Sequence, residues 1–150
     1  MAAGTDWVSY GHDAGGSRFS PLTQITPANV GQLQEVWRYH MNPTPAAAPT
    51  AQGGRRPRAI TSQDTPVEAM GMLFLSTPYG RVVALDSTTG KQVWAYQLAT
   101  GDQPSERGVA YWPGNGKATA EILFGTVRGK LIALSARTGE PVARFGQDGI

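Results

Sequence analysis

The sequence predicts an all-β protein built from two copies of a four-stranded unit. Short runs of β-branched and apolar residues alternate with turn residues such as Asp, Gly and Pro. A strand-and-turn pattern that contains Gly90 returns around Gly139, at a spacing of 49 residues. A β-rich repeat of about 40–50 residues is typical of the blades of a β-propeller.

The repeated pattern consists of a strand, a turn and a second strand. Arg81-Val-Val-Ala-Leu is an apolar run, and Asp86-Ser-Thr-Thr-Gly provides a side-chain acceptor for backbone N–H groups and a glycine that tolerates positive φ. Gln92-Val-Trp-Ala-Tyr then alternates as a strand. The second copy, Ala133 to Ala143, aligns without a gap. Two unrelated hairpins with similar turns are the alternative, and they would not share so many positions in register.

Residues 1–40 form an N-terminal segment. Its first part, up to Leu22, combines Gly, Ser and Asp with single aromatic residues and predicts an ordered irregular stretch. Thr26 followed by proline predicts a short helical turn. Residues 33–39 predict a strand without partners in the preceding sequence, as expected of a strand that closes a propeller ring.

Three further regions follow along the chain. Residues 41–62 are rich in Pro, Ala and Gly and contain the basic cluster Arg55-Arg-Pro-Arg, so they predict an exposed loop. Residues 63–99 form the first blade, with strands near 64–69, 72–77, 81–86 and 92–97. Residues 100–150 form the second blade, whose first strand lies within Arg107-Gly-Val-Ala-Tyr-Trp and whose later strands lie near 120–126, 130–135 and 141–145. At 150 residues the chain is shorter than the roughly 200 residues that even four blades of this period require.

The composition excludes several classes of function. With 13 Lys and Arg against 11 Asp and Glu, the net charge of +2 indicates no nucleic-acid partner. The absence of cysteine excludes disulfides and thiolate chemistry, and two histidines cannot form a histidine metal cluster. The sequence has neither an apolar run long enough to cross a membrane nor the features of a signal peptide at its start.

With these residues in view, the sequence resembles the N-terminal part of the quinoprotein dehydrogenases, which use pyrroloquinoline quinone (PQQ). That family has an eight-bladed propeller whose blades repeat the docking motif Ala-x-Asp-x-x-Thr-Gly-x-x-x-Trp. The first copy matches the motif at Ala84, Asp86, Thr89, Gly90 and Trp94. The second copy keeps Ala133, Thr138 and Gly139 but has Ser135 and Ala143 in place of Asp and Trp. This departure is expected to weaken the docking of the second blade on its neighbour.

Other stretches carry the same resemblance. They are Trp7-x-x-Tyr-Gly, Arg18-Phe-Ser-Pro-Leu, Thr65-Pro with Leu73-Phe-Leu, and Arg107-Gly-Val-Ala-Tyr-Trp. The resemblance is closest to the membrane-associated glucose, quinate and polyol dehydrogenases. Residues 101–106 lack the adjacent cysteine pair that the alcohol dehydrogenases of the family usually carry before the arginine, which argues against the methanol and ethanol branch.

The resemblance implies three cofactor-binding residues. Arg107 lies where the family places an arginine for the PQQ carboxylates, and a guanidinium pairs carboxylates bidentately. Gln63 lies where many relatives have a glutamate, so an amide contact without charge is as plausible as none. Trp112 is expected either to line a face of the cofactor or to pack between blades. Trp37 and Trp94 are expected to be docking residues, and Asp86 a turn acceptor instead of a base.

The family's calcium ligands and catalytic aspartate align beyond residue 150, so this chain is expected to hold no catalytic or metal-binding residue. The resemblance implies oxidation of an alcohol, sugar or polyol by hydride transfer to PQQ, with a quinone or cytochrome as electron acceptor. It also implies a periplasmic location, with possible association with the inner membrane. The 150-residue chain alone is expected to be inactive.

Two other functions fit a propeller repeat. One is a non-enzymatic scaffold of the outer-membrane assembly type, which would need neither the Arg107 stretch nor the segment from Trp7 to Leu22. The other is a two-unit β module that assembles into a ring, which would not need an orphan strand at 33–39. An open arc of blades exposes strand edges, so poor stability and association are expected of the chain by itself.

Overall fold

The structure is a computed structural model that describes residues 6–43 and 61–150. It contains two antiparallel sheets, each with its strands in sequence order. The first sheet consists of β1 (Val67–Ala69), β2 (Met72–Thr77), β3 (Arg81–Asp86) and β4 (Gln92–Gln97). The second consists of β5 (Ala110–Trp112), β6 (Glu121–Gly125) and β7 (Leu131–Ser135). The all-β class predicted from the sequence is confirmed.

The first sheet matches the predicted four-stranded blade closely. The bounds of β2, β3 and β4 agree with the prediction, whereas β1 begins at Val67, three residues later than predicted. Pro66, just before β1, lacks the N–H that a ladder requires, and Asp64 turns its side chain towards Ser76 of β2. The register between β3 and β4 shifts between Ala84 and Leu85, which leaves Val93 of β4 as an extra residue, as in a β-bulge.

The second sheet has three strands in the described part of the chain, so the fourth strand predicted at 141–145 is wrong. A single bridge joins Leu134 to Pro141, after which the chain turns on itself. The carbonyl of Gly149 accepts a hydrogen bond from the Ala133 N–H at 2.9 Å. This local turn therefore occupies part of the β7 edge on which a fourth strand would have to pair.

The N-terminal segment contacts the first sheet without joining it as a long strand. Residues 33–39, predicted as a strand, are not one, because no described segment pairs with their backbone. A bridge between Trp7 and Glu68 extends the edge of β1. A 3-10 helix spans Val30–Gln32, and the Val30 N–H donates to the carbonyl of Thr26, where the helical turn was predicted. Most of the predicted 41–62 loop lies outside the described residues.

The core lies between the two sheets and follows the alternation of strand side chains. One face of the first sheet packs on the second sheet through Phe74, Val82, Ala84, Trp94, Ile122, Phe124, Ile132 and Leu134. The opposite face of the first sheet, with Leu75, Val83 and Leu85, is covered by Trp37, Tyr39 and Met41. Each sheet thus buries a face against its neighbour, as stacked blades do. Among the described residues, no helix is long and apolar enough to cross a membrane.

Candidate functional site

A tryptophan joins the first sheet to the second. The indole Nε1 of Trp94 donates to the carbonyl of Ala136 at 3.0 Å. The same ring lies over Gly139, where an added Cβ would come within 2.6 Å of the ring carbon Cδ2. Gly139 has a φ of 75°, so the turn needs a residue that both tolerates this backbone and leaves room for the ring.

The N-terminal segment uses the same joint on the first sheet. Trp37 Nε1 donates to the carbonyl of Ser87 at 3.3 Å, and its ring would lie 2.4 Å from a Cβ added at Gly90. Ser87 and Gly90 lie 49 residues before Ala136 and Gly139, the residues that Trp94 contacts. These contacts confirm the docking roles predicted for Trp37 and Trp94.

Asp86 organises the turn that receives Trp37. Its Oδ1 accepts hydrogen bonds from the N–H and hydroxyl of Thr89, at 2.7 and 2.8 Å. These bonds hold the pKa of the Asp86 carboxyl below its ordinary value, because they stabilise the charged form. The prediction that Asp86 is a turn acceptor is confirmed.

The segments that carry Gln63 and Arg107 meet at one end of the two sheets, where β1 and β5 begin. Their point of contact is Gly108, with a φ of 102° and an added Cβ only 2.8 Å from the carbonyl oxygen of Thr65. The close approach of the two backbones requires glycine at this position. The fold therefore brings together the segments of two residues that lie 44 positions apart in the sequence.

The side chains of Gln63 and Arg107 are available to a ligand. Both residues are exposed. Within residues 6–43 and 61–150, neither side chain has a hydrogen bond or an ion pair, and the Arg107 backbone N–H donates to Ser105 Oγ at 3.3 Å. An exposed guanidinium suits a ligand that carries carboxylates, and an exposed amide can donate or accept a hydrogen bond.

Trp112 lies elsewhere. It is half-buried at the far end of β5 and is opposite Glu121 in the ladder with β6. Extended chain would separate it from Gly108 by about 13 Å at 3.3 Å per residue. The structure does not bring Trp112 to the contact between the two segments, and its role as a cofactor residue stays a prediction.

Asp64 is a polar residue of this region that the sequence did not single out. Its Oδ1 accepts from the backbone N–H of Ser76 at 3.0 Å and lies 2.6 Å from Ser76 Oγ. Ser76 Oγ is also 2.9 Å from the carbonyl oxygen of Ser105. Burial raises the pKa of the Asp64 carboxyl, although the bonds from Ser76 act in the opposite direction. The side chain of Ser76 thus links β2 to the segments that precede β1 and β5.

An open cleft of about 460 Å³ lies between the sheets at the same end. Hydroxyl and amide side chains dominate its wall, namely Thr61, Ser62, Ser76, Thr77, Gln103 and Ser105. Ser62 and Glu106, which also line it, are the sequence neighbours of Gln63 and Arg107. Across the described ranges, no group of three or more His, Cys, Asp or Glu residues is placed to hold a metal ion.

Comparison with known proteins connects this arrangement to one family. Residues 7–150 match the β-propeller domain described as "PQQ: Glucose/ethanol/alcohol dehydrogenase". The chain is 35% identical, over 91% of its length, to the dehydrogenase subunit of the quinone-dependent alcohol dehydrogenase of Gluconobacter oxydans. It is 32% identical, over 96% and 99% of its length, to quinate/shikimate dehydrogenase (quinone) of Acinetobacter baylyi and quinoprotein glucose dehydrogenase of Escherichia coli.

A solved structure gives the same result. The chain superimposes on the quinohemoprotein alcohol dehydrogenase of Comamonas testosteroni with a TM-score of 0.68 and 30% identity, over 90% of this chain and 18% of that one. The chain likewise spans 16% to 20% of the length of the curated relatives named above. The match extends over both sheets and the N-terminal segment, so the chain belongs to the family of PQQ-dependent dehydrogenases and forms part of their β-propeller domain.

Proposed function

We propose that this chain supplies part of the PQQ-binding surface of a dehydrogenase, with Arg107 and Gln63 as its cofactor contacts. The observation that carries the proposal is the exposed guanidinium of Arg107, which has no partner within residues 6–43 and 61–150 and adjoins the contact at Gly108 between the segments before β1 and β5. A cation kept free of internal carboxylates is suited to an anionic ligand.

The two side chains would make different contacts with the cofactor. Arg107 donates from a planar fork and would fix the position of a carboxylate through two parallel hydrogen bonds. Gln63 adds an uncharged donor and acceptor, which orients the ligand without changing the charge of the site. When bound, PQQ supplies a two-electron acceptor for hydride.

The larger architecture is also proposed. Both sheets would be neighbouring blades of an eight-bladed ring, and residues 33–39 would belong to the blade that closes it. The docking of Trp37 on the first sheet supports this, because it repeats the joint that Trp94 makes between the two sheets.

The reaction class follows from the family. We propose oxidation of an alcohol, sugar or polyol, and the named relatives include a quinone-dependent alcohol dehydrogenase, a quinate/shikimate dehydrogenase and a glucose dehydrogenase. Calcium ligands and the catalytic base would come from other parts of the propeller. A quinone or a cytochrome would accept the electrons, and the location would be periplasmic, with possible association with the inner membrane.

The test compares the native gene product with the 150-residue chain. The intact mass of the product is measured first, and each protein is then assayed for PQQ-dependent reduction of an artificial dye with alcohols, sugars and polyols. We expect a product several times heavier than 15.9 kDa that reduces the dye, and an inactive short chain. A native product that neither binds PQQ nor reduces the dye would overturn the proposal and favour a scaffold.

A further inference from the structure

The hydroxyl of Ser76 stands between two oxygen atoms. Ser76 Oγ is 2.6 Å from Asp64 Oδ1 and 2.9 Å from the Ser105 carbonyl oxygen. A hydroxyl donates one proton, and a carbonyl oxygen only accepts. If the Ser76 proton goes to Ser105, the short contact with Asp64 requires a proton on the carboxyl group.

The surroundings of Asp64 favour that protonated form. Its Oδ2 is buried and has no hydrogen-bond partner among the described residues. The Ser76 N–H donates to Oδ1, but a buried carboxylate oxygen without a donor, such as Oδ2, makes the charged form costly, and a carboxylic acid is far less so. Within the described ranges, no neighbouring cation opposes the rise of the Asp64 pKa that burial causes.

The chain of hydrogen bonds ends beside the proposed cofactor contacts. Asp64 directly follows Gln63, and Ser105 lies two residues before Arg107. Asp64 Oδ1 also limits the space at Gly108, where an added Cβ would lie 3.1 Å from it. The geometry is suited to fixing one segment against the other.

We propose that Asp64 is a positioning residue, a neutral carboxylic acid that donates to Ser76 while Ser76 donates to Ser105, so that the Gln63 and Arg107 segments are held together. This inference rests on the proposed function of those two residues. Ionisation of Asp64 would draw the Ser76 proton to the carboxylate and release the Ser105 carbonyl. The contact at Gly108 would then loosen as pH rises.

In the part of the chain that the structure describes, few ionisable groups surround this chain of hydrogen bonds. The segment of Ser105 carries Glu106 and Arg107, both exposed, and β2 carries no ionisable side chain. Glu68 on β1 bonds the backbone of Trp7 and Gly71 instead. A pH-dependent shift of the Gly108 amide signal can therefore be assigned to Asp64 if the shift is lost when Asp64 is substituted.

The experiment is a pH titration of the ¹³C,¹⁵N-labelled protein by NMR. We expect the Asp64 carboxyl to titrate above the ordinary aspartate value of 3.8, and the amide signals of Ser76 and Gly108 to shift with it. Asp64→Asn retains a donor to Ser76 and should make both amide signals independent of pH. Asp86→Asn, in an exposed turn, should leave the titration of Gly108 unchanged.

Two results would overturn the inference. One is a measured pKa of the Asp64 carboxyl at or below the ordinary value of 3.8, which can be determined on the wild type alone. The other is a Gly108 amide signal that does not shift with the titration of Asp64, or that shifts with pH to the same extent in the wild type and in Asp64→Asn.

PQQ binding to the intact native protein, followed by fluorescence quenching, separates this inference from the proposed function. We expect affinity for PQQ to fall at least threefold across the Asp64 titration in the wild type and to stay constant in Asp64→Asn. An affinity for PQQ that does not change across the Asp64 titration would refute the positioning role but not the proposed function. No binding at any pH would refute the proposed function, and with it the positioning role.

Discussion

The indole ring of Trp94 occupies the space that a side chain at Gly139 would need. A Cβ at Gly139 would lie 2.6 Å from Cδ2 of the ring, and the indole N–H donates to Ala136 at 3.0 Å. Trp37 and Gly90 have the same relationship one unit earlier in the chain. The docking motif is thus a physical joint in which a tryptophan of one unit closes over the glycine turn of the next.

Gly139→Ala should destabilise the protein more than a glycine with the same backbone but open surroundings. Gly129 provides that control, because its φ is also 75° and an added Cβ would meet nothing within 4 Å. We expect Gly129→Ala to cost about 1–2 kcal/mol for the left-handed backbone. Gly139→Ala should cost about 1–3 kcal/mol more, because the ring must move. Urea unfolding of both variants measures the difference, and equal losses would contradict a tight Trp94 joint.

Trp94→Ala should destabilise the protein more than Trp37→Ala. Trp94 is buried between two sheets, whereas Trp37 is half-buried at the first sheet's outer face. We expect about 3–5 kcal/mol for Trp94→Ala and a smaller loss for Trp37→Ala. Denaturant unfolding with a probe other than tryptophan fluorescence compares the two variants. An equal or larger loss for Trp37→Ala would mean that the N-terminal segment contributes as much as the joint between the sheets.

The replacement of Asp86 by Ser135 in the second unit coincides with a second change. Asp86 pairs across the strands with Met72, and the corresponding pair in the second sheet is Ser135 with Glu121. Glu121 is buried and forms an ion pair with Arg144. The carboxylate has therefore moved to the opposite strand, and two carboxylates at this pair would repel each other.

Ser135→Asp should therefore destabilise the second sheet, even though it restores the aspartate of the docking motif. We expect a loss of about 1 kcal/mol from like charges on opposite strands. Adding Glu121→Met should recover the loss, because the pair then matches the first sheet. A double-mutant cycle from thermal or urea unfolding gives the coupling between the positions. Additive effects would show that the two changes are independent.

Asp86→Ser should remove a pH-dependent part of the stability. The pKa of Asp86 is lowered in the folded protein by its bonds to Thr89, so its contribution is present above the unfolded value and is lost as pH falls through the lower, folded value. Below about pH 4, the gap in unfolding free energy between the wild type and Asp86→Ser should narrow. A gap that stays constant from neutral to acidic pH would contradict this assignment.

Features that depend on nearby residues were predictable from the sequence. The turn at Asp86 and Gly90 is encoded within five residues, and its recurrence at Gly139 revealed the repeat and the family. The strand predicted at 141–145 failed because the later turn at Gly149 competes for the β7 edge. The local sequence at 141–145 does not indicate that competition.

The candidate site likewise contains residues that the sequence predicted and one that it did not. Gln63 and Arg107 were identified through the family's motifs, and the structure brings their segments together through the glycine at position 108. Asp64 was missed because its burial depends on Ser76 and Ser105, which lie 12 and 41 residues away in sequence. Local sequence cannot reveal a carboxyl group whose partners come from other strands.

Titration of the intact native protein with PQQ most directly tests the claim that this end of the sheets binds the cofactor. Arg107→Ala should weaken binding at least tenfold, since a charge-assisted pair contributes about 1.5–3 kcal/mol. Arg137→Ala, which removes an exposed arginine from the turn at the other end of the second sheet, should leave the affinity unchanged. Equal affinities for the wild type and both variants would contradict the placement of PQQ at Arg107.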